Sequence, residues 1–498
     1  MRGLRRALAL TTAERYFSLV TNFITLSIVS RLLTPTEIGI SVLGTAIAGT
    51  VMALREFATP TYIIQCSNLS RDDVRTAVTV QMLASFAVGA VIFCSSWKLA
   101  SIYQEPALGM YLRVVAISIA IESIAAPIAA LLRRDMLFEK LVIIGVFNAA
   151  VSSVITLTLI GFGFSYMSFA WAWLISAAAS GVMSLFIWRD VSIFRPSLRS
   201  WSAVTGFGCV NGAHVTLARL YDAIPYLVLG RILPVDAVAL YNRALTVCQL
   251  PDKVFFGGLS SALLSAFSAH ARSGGDLQTS YLRSVQYVTA FQWPALAAVT
   301  VLAYPLVRIV LGAQWLEAVP IIQIIALASV FTFSNDLYYP VMAAAGAIGD
   351  IFKRALIVWP LSAAIVVCAA SFGLYAAASA MFIALPFQAA VSVYFIRRHI
   401  QFAWTDIFRI LGHAVILAVS AIAGPLAVIA IGGGNFDLSA KDTTASILLS
   451  AIGWLLALRV TRHPLLDELL AVGRAVLKNF SKSHAIKECA QIPLNEEI

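Results

Sequence analysis

Charge is scarce in this chain. Asp, Glu, Lys and Arg make up 12% of its 498 residues while 60% are hydrophobic, and a soluble domain carries about twice that share of charge. The balance excludes a soluble enzyme and leaves a membrane protein. Strand-length alternation of apolar and polar residues is also missing, which excludes a transmembrane barrel and leaves an all-α polytopic protein. Cysteine offers no chemistry. Of the six, Cys66, Cys94, Cys209, Cys248 and Cys368 fall in or beside apolar stretches as packing residues, and no CxxC or Cys/His spacing suits a metal or redox centre. No GxxxxGK[ST] loop is present, so ATP is not expected as the direct energy source. Long outer loops and acidic catalytic clusters are absent too, which argues against a membrane enzyme that polymerises sugars. The chain is therefore expected not to be an enzyme, with no catalytic residue, cofactor or metal. The N-terminus "MRGLRRALAL" is basic and then apolar, but no small-residue cleavage site precedes the next span, so it is expected to be retained.

What is there is a succession of runs such as 141–163, "LVIIGVFNAAVSSVITLTLIGFG", each longer than the roughly 18 residues that cross a bilayer. About fourteen spans are predicted, near 13–33, 38–58, 76–94, 108–131, 141–163, 166–188, 203–229, 237–267, 284–303, 318–345, 355–372, 374–396, 407–431 and 444–458. Loop charge tests that register, because a missed span would invert every later loop. Of the 35 Lys and Arg, about 26 fall on one side and 5 on the other (Arg31, Lys98, Arg231, Arg308 and Lys441), so both termini are expected to be cytoplasmic. The net charge of +10 is mostly topology. It is spread over short loops and not gathered into a basic domain, so no nucleic-acid partner is expected.

Two stretches repeat. "SRLLTPTEIGI" places Arg31 and Glu37 between two spans, and "GRILPVDAVAL" places Arg231 and Asp236 likewise. Asn22 precedes the first arginine by nine residues and Asp222 the second, and with a two-residue slip Arg55 answers Lys253. Spans seven to twelve thus restate spans one to six, a pattern that in transporters puts the substrate between two lobes. The expected division is an N-lobe at 1–200, a C-lobe at 201–402, two additional spans at 403–460 and a cytoplasmic tail at 461–498.

"SRLLTPTEIGISVLG", "LREFATPTYIIQ", "IYQEPAL", "LLRRDMLFEKL", "DAIPYLVLGRIL", "LYNRALTVCQLPDKV" and "VLGAQWLEAVPIIQIIAL", in this order and spacing, resemble the landmarks of bacterial polysaccharide flippases. These form the Wzx-type and exopolysaccharide-exporter branch of the multidrug/oligosaccharidyl-lipid/polysaccharide export superfamily. The resemblance runs from about Thr11 to Arg398, with Ala58 where the family often has glycine. It implies two six-helix lobes around a cavity, two extra C-terminal helices, and alternating access in the inner membrane. The implied cargo is a polyprenyl-diphosphate-linked oligosaccharide for exopolysaccharide, O-antigen or capsule assembly. Implied partners are membrane lipids and polysaccharide polymerase and export machinery, around a monomer.

The residues agree with an anionic, sugar-bearing cargo. Arg or Lys at mid-span costs roughly 2.5–3.5 kcal/mol on insertion scales, so Arg113, Arg219, Arg243 and Lys253 need a wet cavity or a partner. On span seven, Asn211, His214, Arg219, Asp222 and Tyr226 form one polar stripe, and span one carries Arg15, Ser18, Asn22 and Thr25. Candidate substrate contacts are Arg55, Lys253, Arg243, Arg219, Asn22 and Asn211, with Arg55 and Lys253 as a clamp between lobes. Candidate coupling carboxylates are Asp222, Glu122 and Asp336. Each has a structural alternative: Arg219 and Asp222 neutralise each other, His214 is packed, Glu122 and Asp336 make helix–helix hydrogen bonds, and Arg55 pairs with Glu56 or reaches the headgroups. Arg31 and Arg231 are read as helix-end anchors, and "GAQWLEA" as an interfacial turn with Trp315 as an aromatic anchor. A drug or small-molecule antiporter of the same superfamily is the second function, and a glycan-assembly enzyme the third.

Reporter fusions after Arg189, Arg272 and Arg398 are expected to report cytoplasm, and fusions within 432–441 the outer side. One inverted assignment among them would break the fourteen-span topology.

Overall fold

The computed structural model describes residues 2–58, 60–66, 69–255, 259–273, 275–471 and 474, which form helices and connecting turns with no strand. The N-terminal half comprises α1 (Arg2–Leu32), α2 (Pro35–Met52), α3 (Pro60–Gln65), α4 (Arg71–Ile102), α5 (Pro106–Glu122), α6 (Ala125–Arg134), α7 (Phe138–Gly161) and α8 (Met167–Ile187). Then follow α9 (Trp201–Ile232), α10 (Val235–Cys248), α11 (Leu250–Phe255), α12 (Leu259–Arg272), α13 (Leu277–Val301), α14 (Ala303–Leu306), α15 (Val319–Ala328) and α16 (Phe333–Ala344). The series ends with α17 (Ile348–Ala370), α18 (Leu374–Ser379), α19 (Met381–His399), α20 (Trp404–Ile431) and α21 (Ala440–Val460). Among the described residues ten helices are long and apolar enough to cross a membrane, or eleven if Leu277–Val301 and Ala303–Leu311, bent by 79°, count as one. The sequence predicts about fourteen. The three stretches outside the eleven are α1, α9 and the run from α10 to α12, which carry Arg15, Arg219 with Asp222, and Arg243 with Lys253.

The repeated punctuation proves to be helix-start chemistry. Thr34 caps α2: its hydroxyl accepts the Glu37 N–H at 3.3 Å while the Glu37 carboxylate accepts the Thr34 N–H at 2.7 Å, and Pro35 occupies the first turn. Its counterpart α10 starts after Pro234, and Asp236 accepts the Ala237 N–H at 2.8 Å. An acid in the first turn of each helix also complements the helix dipole. Ser70 and Asp73 cap α4 in the same way. At α13, Asp276 accepts the Thr279 hydroxyl at 2.5 Å and two backbone N–H groups, and these bonds hold its carboxyl below the usual carboxylate range.

Packing differs between the two ends of the molecule. At the end bearing the 31–37 and 231–236 turns, one core joins both halves: Val29, Leu43 and Tyr111 belong to the same buried cluster as Val238, Trp315 and Ile322. At the arginine-rich end the cores separate. Val78, Ile128 and Leu131 form one cluster of the N-terminal half, joined by Val204 from the start of α9, and Tyr281, Leu337 and Ile396 form another of the C-terminal half. The halves thus share a core at one end and part in their apolar packing at the other, where polar contacts still cross: the Tyr16 hydroxyl donates to the Val254 carbonyl and the Thr216 hydroxyl to the Ala53 carbonyl, each at 3.1 Å. Small residues permit the close end, as expected where lipid removes the usual hydrophobic drive between helices. A Cβ on Gly39 of α2 would stand 2.1 Å from the Val235 carbonyl oxygen of α10, and one on Gly230 would stand 2.8 Å from Leu43.

Gly39→Ala is expected to push α2 off α10, lowering stability by about 1–3 kcal/mol, the usual cost of overpacking. Gly49→Ala on the same helix meets nothing within 4 Å and is expected to leave the thermal midpoint unchanged or slightly raised. Equal midpoints for the two variants in detergent would refute the close-approach account.

Candidate functional site

Between the diverging halves lies a hollow of about 700 Å³ whose lining includes Arg15 of α1, Asp222 and Tyr226 of α9, Asp252 and Lys253 of α11, and Asp336 of α16. Asp222 and Tyr226 also line a second hollow of about 380 Å³, deeper between α2, α9 and α10, together with Arg219, Asn242 and Arg243. The two hollows adjoin, with Asp222 and Tyr226 walling both. From the N-terminal half, Ser41, Thr45 and Thr50 of α2 contribute hydroxyls.

The sequence-derived candidates divide on this geometry. Arg219, Asp222 and Tyr226, three members of the α9 stripe, share the deeper hollow, and Arg243 joins them. The side chains of Asn211 and His214 lie outside the described residues. Arg219 acts electrostatically on Asp222, but no ion pair joins them among the described residues. Asn22 is exposed on α1 and is not among the residues lining these hollows. Arg55 and Lys253 occupy equivalent places, each in the short helical segment after α2 or α10, yet they face different hollows. Lys253 faces the central one with Arg15. Arg55 lies in a separate hollow of about 330 Å³ within the N-terminal half, where its guanidinium donates to Glu122 at 3.5 Å with the two side chains 11% and 35% exposed. The cation facing Lys253 across the halves is thus Arg15, and Glu122 is committed to a charge pair.

Three further side chains have specific partners. Arg113 takes the partner alternative: it stacks over Phe93 and Trp97 of α4, and its Nε donates to Ser96 at 3.2 Å. Trp315 is not an interfacial anchor but fully buried, its indole donating to the Ser30 carbonyl at 2.7 Å. Arg354, which lies between the predicted spans 318–345 and 355–372, is 8% exposed, lies over the Tyr338 ring at 4.5 Å and donates to Ser392 and Asn335 at 2.7 and 2.5 Å. Through Asn335 and Gln388, bonded to each other at 3.1 Å, that cation backs the wall of the central hollow.

Gln292 escaped sequence reasoning altogether, and Asp252 was not among its candidate site residues. Gln292 is fully buried on α13, and its amide donates to Asp252 at 3.0 Å and to the Thr332 hydroxyl at 2.9 Å. Thr332 spends its own hydrogen on the Ser329 carbonyl, so it can only accept from Gln292, which fixes the amide orientation. Both amide hydrogens are then used, and the buried Oε1 has no donor. Asp336 lies near both Gln292 and Asp252. Protonated, its carboxyl carries a hydroxyl that can donate to such an oxygen.

Breaking the Arg55 pair tests its role. Glu122→Gln is expected to strand a half-desolvated guanidinium and cost about 1–3 kcal/mol, with Arg55→Gln added to it restoring much of the loss. Additive losses in thermal unfolding would show that the two side chains do not act as a pair.

Residues 28–320 match the family described as polysaccharide biosynthesis protein. The chain is 21% identical over 306 residues to the lipopolysaccharide biosynthesis protein WzxC of Escherichia coli (strain K12), covering 60% of this chain and 61% of that protein. It is 22% identical over 339 residues to the succinoglycan biosynthesis transport protein ExoT of Rhizobium meliloti (strain 1021), covering 67% of this chain and 68% of that protein. In fold it is similar to the lipid II flippase MurJ in an inward closed conformation, with a TM-score of 0.73, 13% identity, and coverage of 92% of this chain and 98% of that one. An inward-facing multidrug resistance MATE family transporter of the MOP superfamily superposes with a TM-score of 0.63 at 16% identity, covering 77% of this chain and 94% of that one.

Proposed function

Because this chain belongs to the polysaccharide biosynthesis protein family, we propose that it is a bacterial inner-membrane flippase for a polyprenyl-diphosphate-linked oligosaccharide. The cargo moves from the cytoplasmic to the outer leaflet by alternating access of two lobes, 1–200 and 201–402, flanked by two further spans at 403–460. On this reading α1, α9 and the α10–α12 run also cross the membrane, which gives fourteen spans with both termini cytoplasmic. Their polar residues, which dilute the apolar signal, are the ones that face the cargo. The joined end is then outer and the parted end cytoplasmic.

The observation that carries this reading is the central hollow. Arg15 of one half and Lys253 of the other face it, and neither makes an ion pair among the described residues. A diphosphate entering between them would draw the parted ends together, so the loaded carrier favours closure on that side. Asp336 is the proposed proton-coupling carboxylate: protonated it completes the Gln292 network, and ionised it faces Asp252 unpaired. Asp222 remains a proposed second coupling group. The relatives described above are named for glycan biosynthesis and transport, which supports a lipid-linked glycan over a drug as cargo. Membrane lipids, and the polymerase and export machinery that consume the product, are the proposed partners of a monomeric carrier.

Translocation of a fluorescent polyprenyl-diphosphate sugar into proteoliposomes tests the proposal. Lys253→Ala and Arg15→Ala are expected to slow it at least about tenfold, as loss of a charge-assisted contact does, with Lys253→Arg retaining part. Asp336→Asn, whose amide can still donate to Gln292, is expected to fold normally but lose its response to a pH gradient. Wild-type rates in the Arg15→Ala, Lys253→Ala double variant would overturn the assignment.

A further inference from the structure

The deeper hollow contains a cation that the fold leaves without a counter-ion. Arg243 is 7% exposed, its Nε is buried with no hydrogen-bond partner, and no carboxylate pairs with it among the described residues. A permanently charged guanidinium stripped of water costs several kcal/mol unless something compensates it. What it touches is the face of Trp315, 5.4 Å from guanidinium carbon to ring centroid. Trp315 in turn donates its indole N–H to the Ser30 carbonyl of α1, and its neighbour Gln314 donates to the Ser30 and Leu33 carbonyls. One six-residue turn, Ala313–Ala318, thus receives the cavity cation on one face and bolts the two halves together with the other.

We propose that Arg243 is a phosphate station whose occupation loosens the outer seal through Trp315. The proposal rests on the flippase reading above for the identity of the cargo. Among the described residues the direct contact that meets the guanidinium's charge is the indole face, with Asp222 elsewhere on the wall of the same hollow, and that contact presses the turn into place. A phosphate oxyanion is a stronger partner, because guanidinium and phosphate match in charge and in bidentate geometry. When the anion arrives, the guanidinium turns from the ring and the seal retains only its hydrogen bonds. The anion therefore binds better to the unsealed state, in which it need not compete with the indole, and this difference in affinity shifts the population outward. Arg219, on the wall of the same hollow, supplies a second positive charge for the other phosphate.

The test uses the full chain in nanodiscs with inorganic pyrophosphate and farnesyl diphosphate as probes and farnesol as the uncharged control. Calorimetry measures binding, and spin labels at Glu105→Cys and Asp236→Cys, in a chain whose own cysteines are replaced, report the outer separation of the halves. Pyrophosphate and farnesyl diphosphate are expected to bind and to widen that separation, whereas farnesol does neither. Arg243→Gln is expected to weaken pyrophosphate about tenfold and to abolish the widening, with Arg243→Lys intermediate in both. Trp315→Phe, which lacks the indole donor, is expected to be partly widened before any anion is added while binding pyrophosphate normally. Undiminished pyrophosphate binding by Arg243→Gln or Arg243→Lys, no binding by the wild type, or binding without widening would each overturn the inference. An intact, Arg243-dependent pyrophosphate response in a protein that fails to translocate any polyprenyl-diphosphate sugar would sink the cargo assignment and leave the station standing.

Discussion

Everything in this architecture depends on how helix ends are satisfied where water is excluded. The last carbonyls of a helix have no partner within it, and in a membrane an unpaired one costs several kcal/mol. At the joined end the two halves solve this for each other. The Ser30 and Leu33 carbonyls, at the end of α1, receive Gln314 and Trp315 from the C-terminal half. The Ile309 and Val310 carbonyls, on the π-helical stretch Val307–Leu311, receive Arg31 and Ser27 from the N-terminal half. Neither half can leave without exposing carbonyls, so the seal is strong while closed.

That reciprocity explains why the punctuation is written twice but used asymmetrically. Both turns begin a helix with Pro and an acid, and both must, because α2 and α10 start in equivalent places. Arg31 and Arg231 nevertheless do different work. Arg31 reaches across to the Ile309 carbonyl, whereas Arg231 lines a hollow at the same end beside Tyr103 and Glu105. A duplicated pattern supplies the scaffold, and divergence of the side chains between copies supplies the latch.

Much of this was legible in the sequence, and what was not has a common cause. The apolar runs and the Arg219, Asp222 and Tyr226 part of the α9 stripe are local signals with helical period, and the structure carries them as helix and cavity wall. The pairings that decide individual roles are not local. Arg55 and Glu122 stand 67 positions apart, Gln292 and Asp252 stand 40 apart, and Trp315 and Ser30 stand 285 apart. Periodicity says which face a residue occupies, not which helix that face meets. The same limit left open which partner serves Arg113, the aromatic rings of α4, and hid Arg354, which lies between two predicted spans although its guanidinium is drawn inward by Asn335 and Ser392. Gln292 lay hidden because a single amide in an apolar run looks the same whether it hydrogen-bonds a backbone or orients two carboxylates.

The distribution of unpaired charge separates the parts of the molecule that hold from the parts that work. Where a buried charge has a fixed partner, as Arg55 has in Glu122, or aromatic and hydroxyl neighbours, as Arg113 has, removing it would chiefly cost stability. Along the path between the halves the rule is reversed: Arg15, Lys253, Arg219 and Arg243 all border cavities, and none makes an ion pair among the described residues. Charge held without a fixed partner within a helix bundle is expensive; here Arg15, Arg219 and Lys253 are exposed, Asp222, Asp252 and Asp336 share the same walls, and Arg243 is the buried one of the four cations. On the proposed reading, water fills the path when empty and an anion fills it when loaded. A site built in this way gains most when it is occupied, and a carrier needs that property if binding its cargo is to drive the halves between two arrangements.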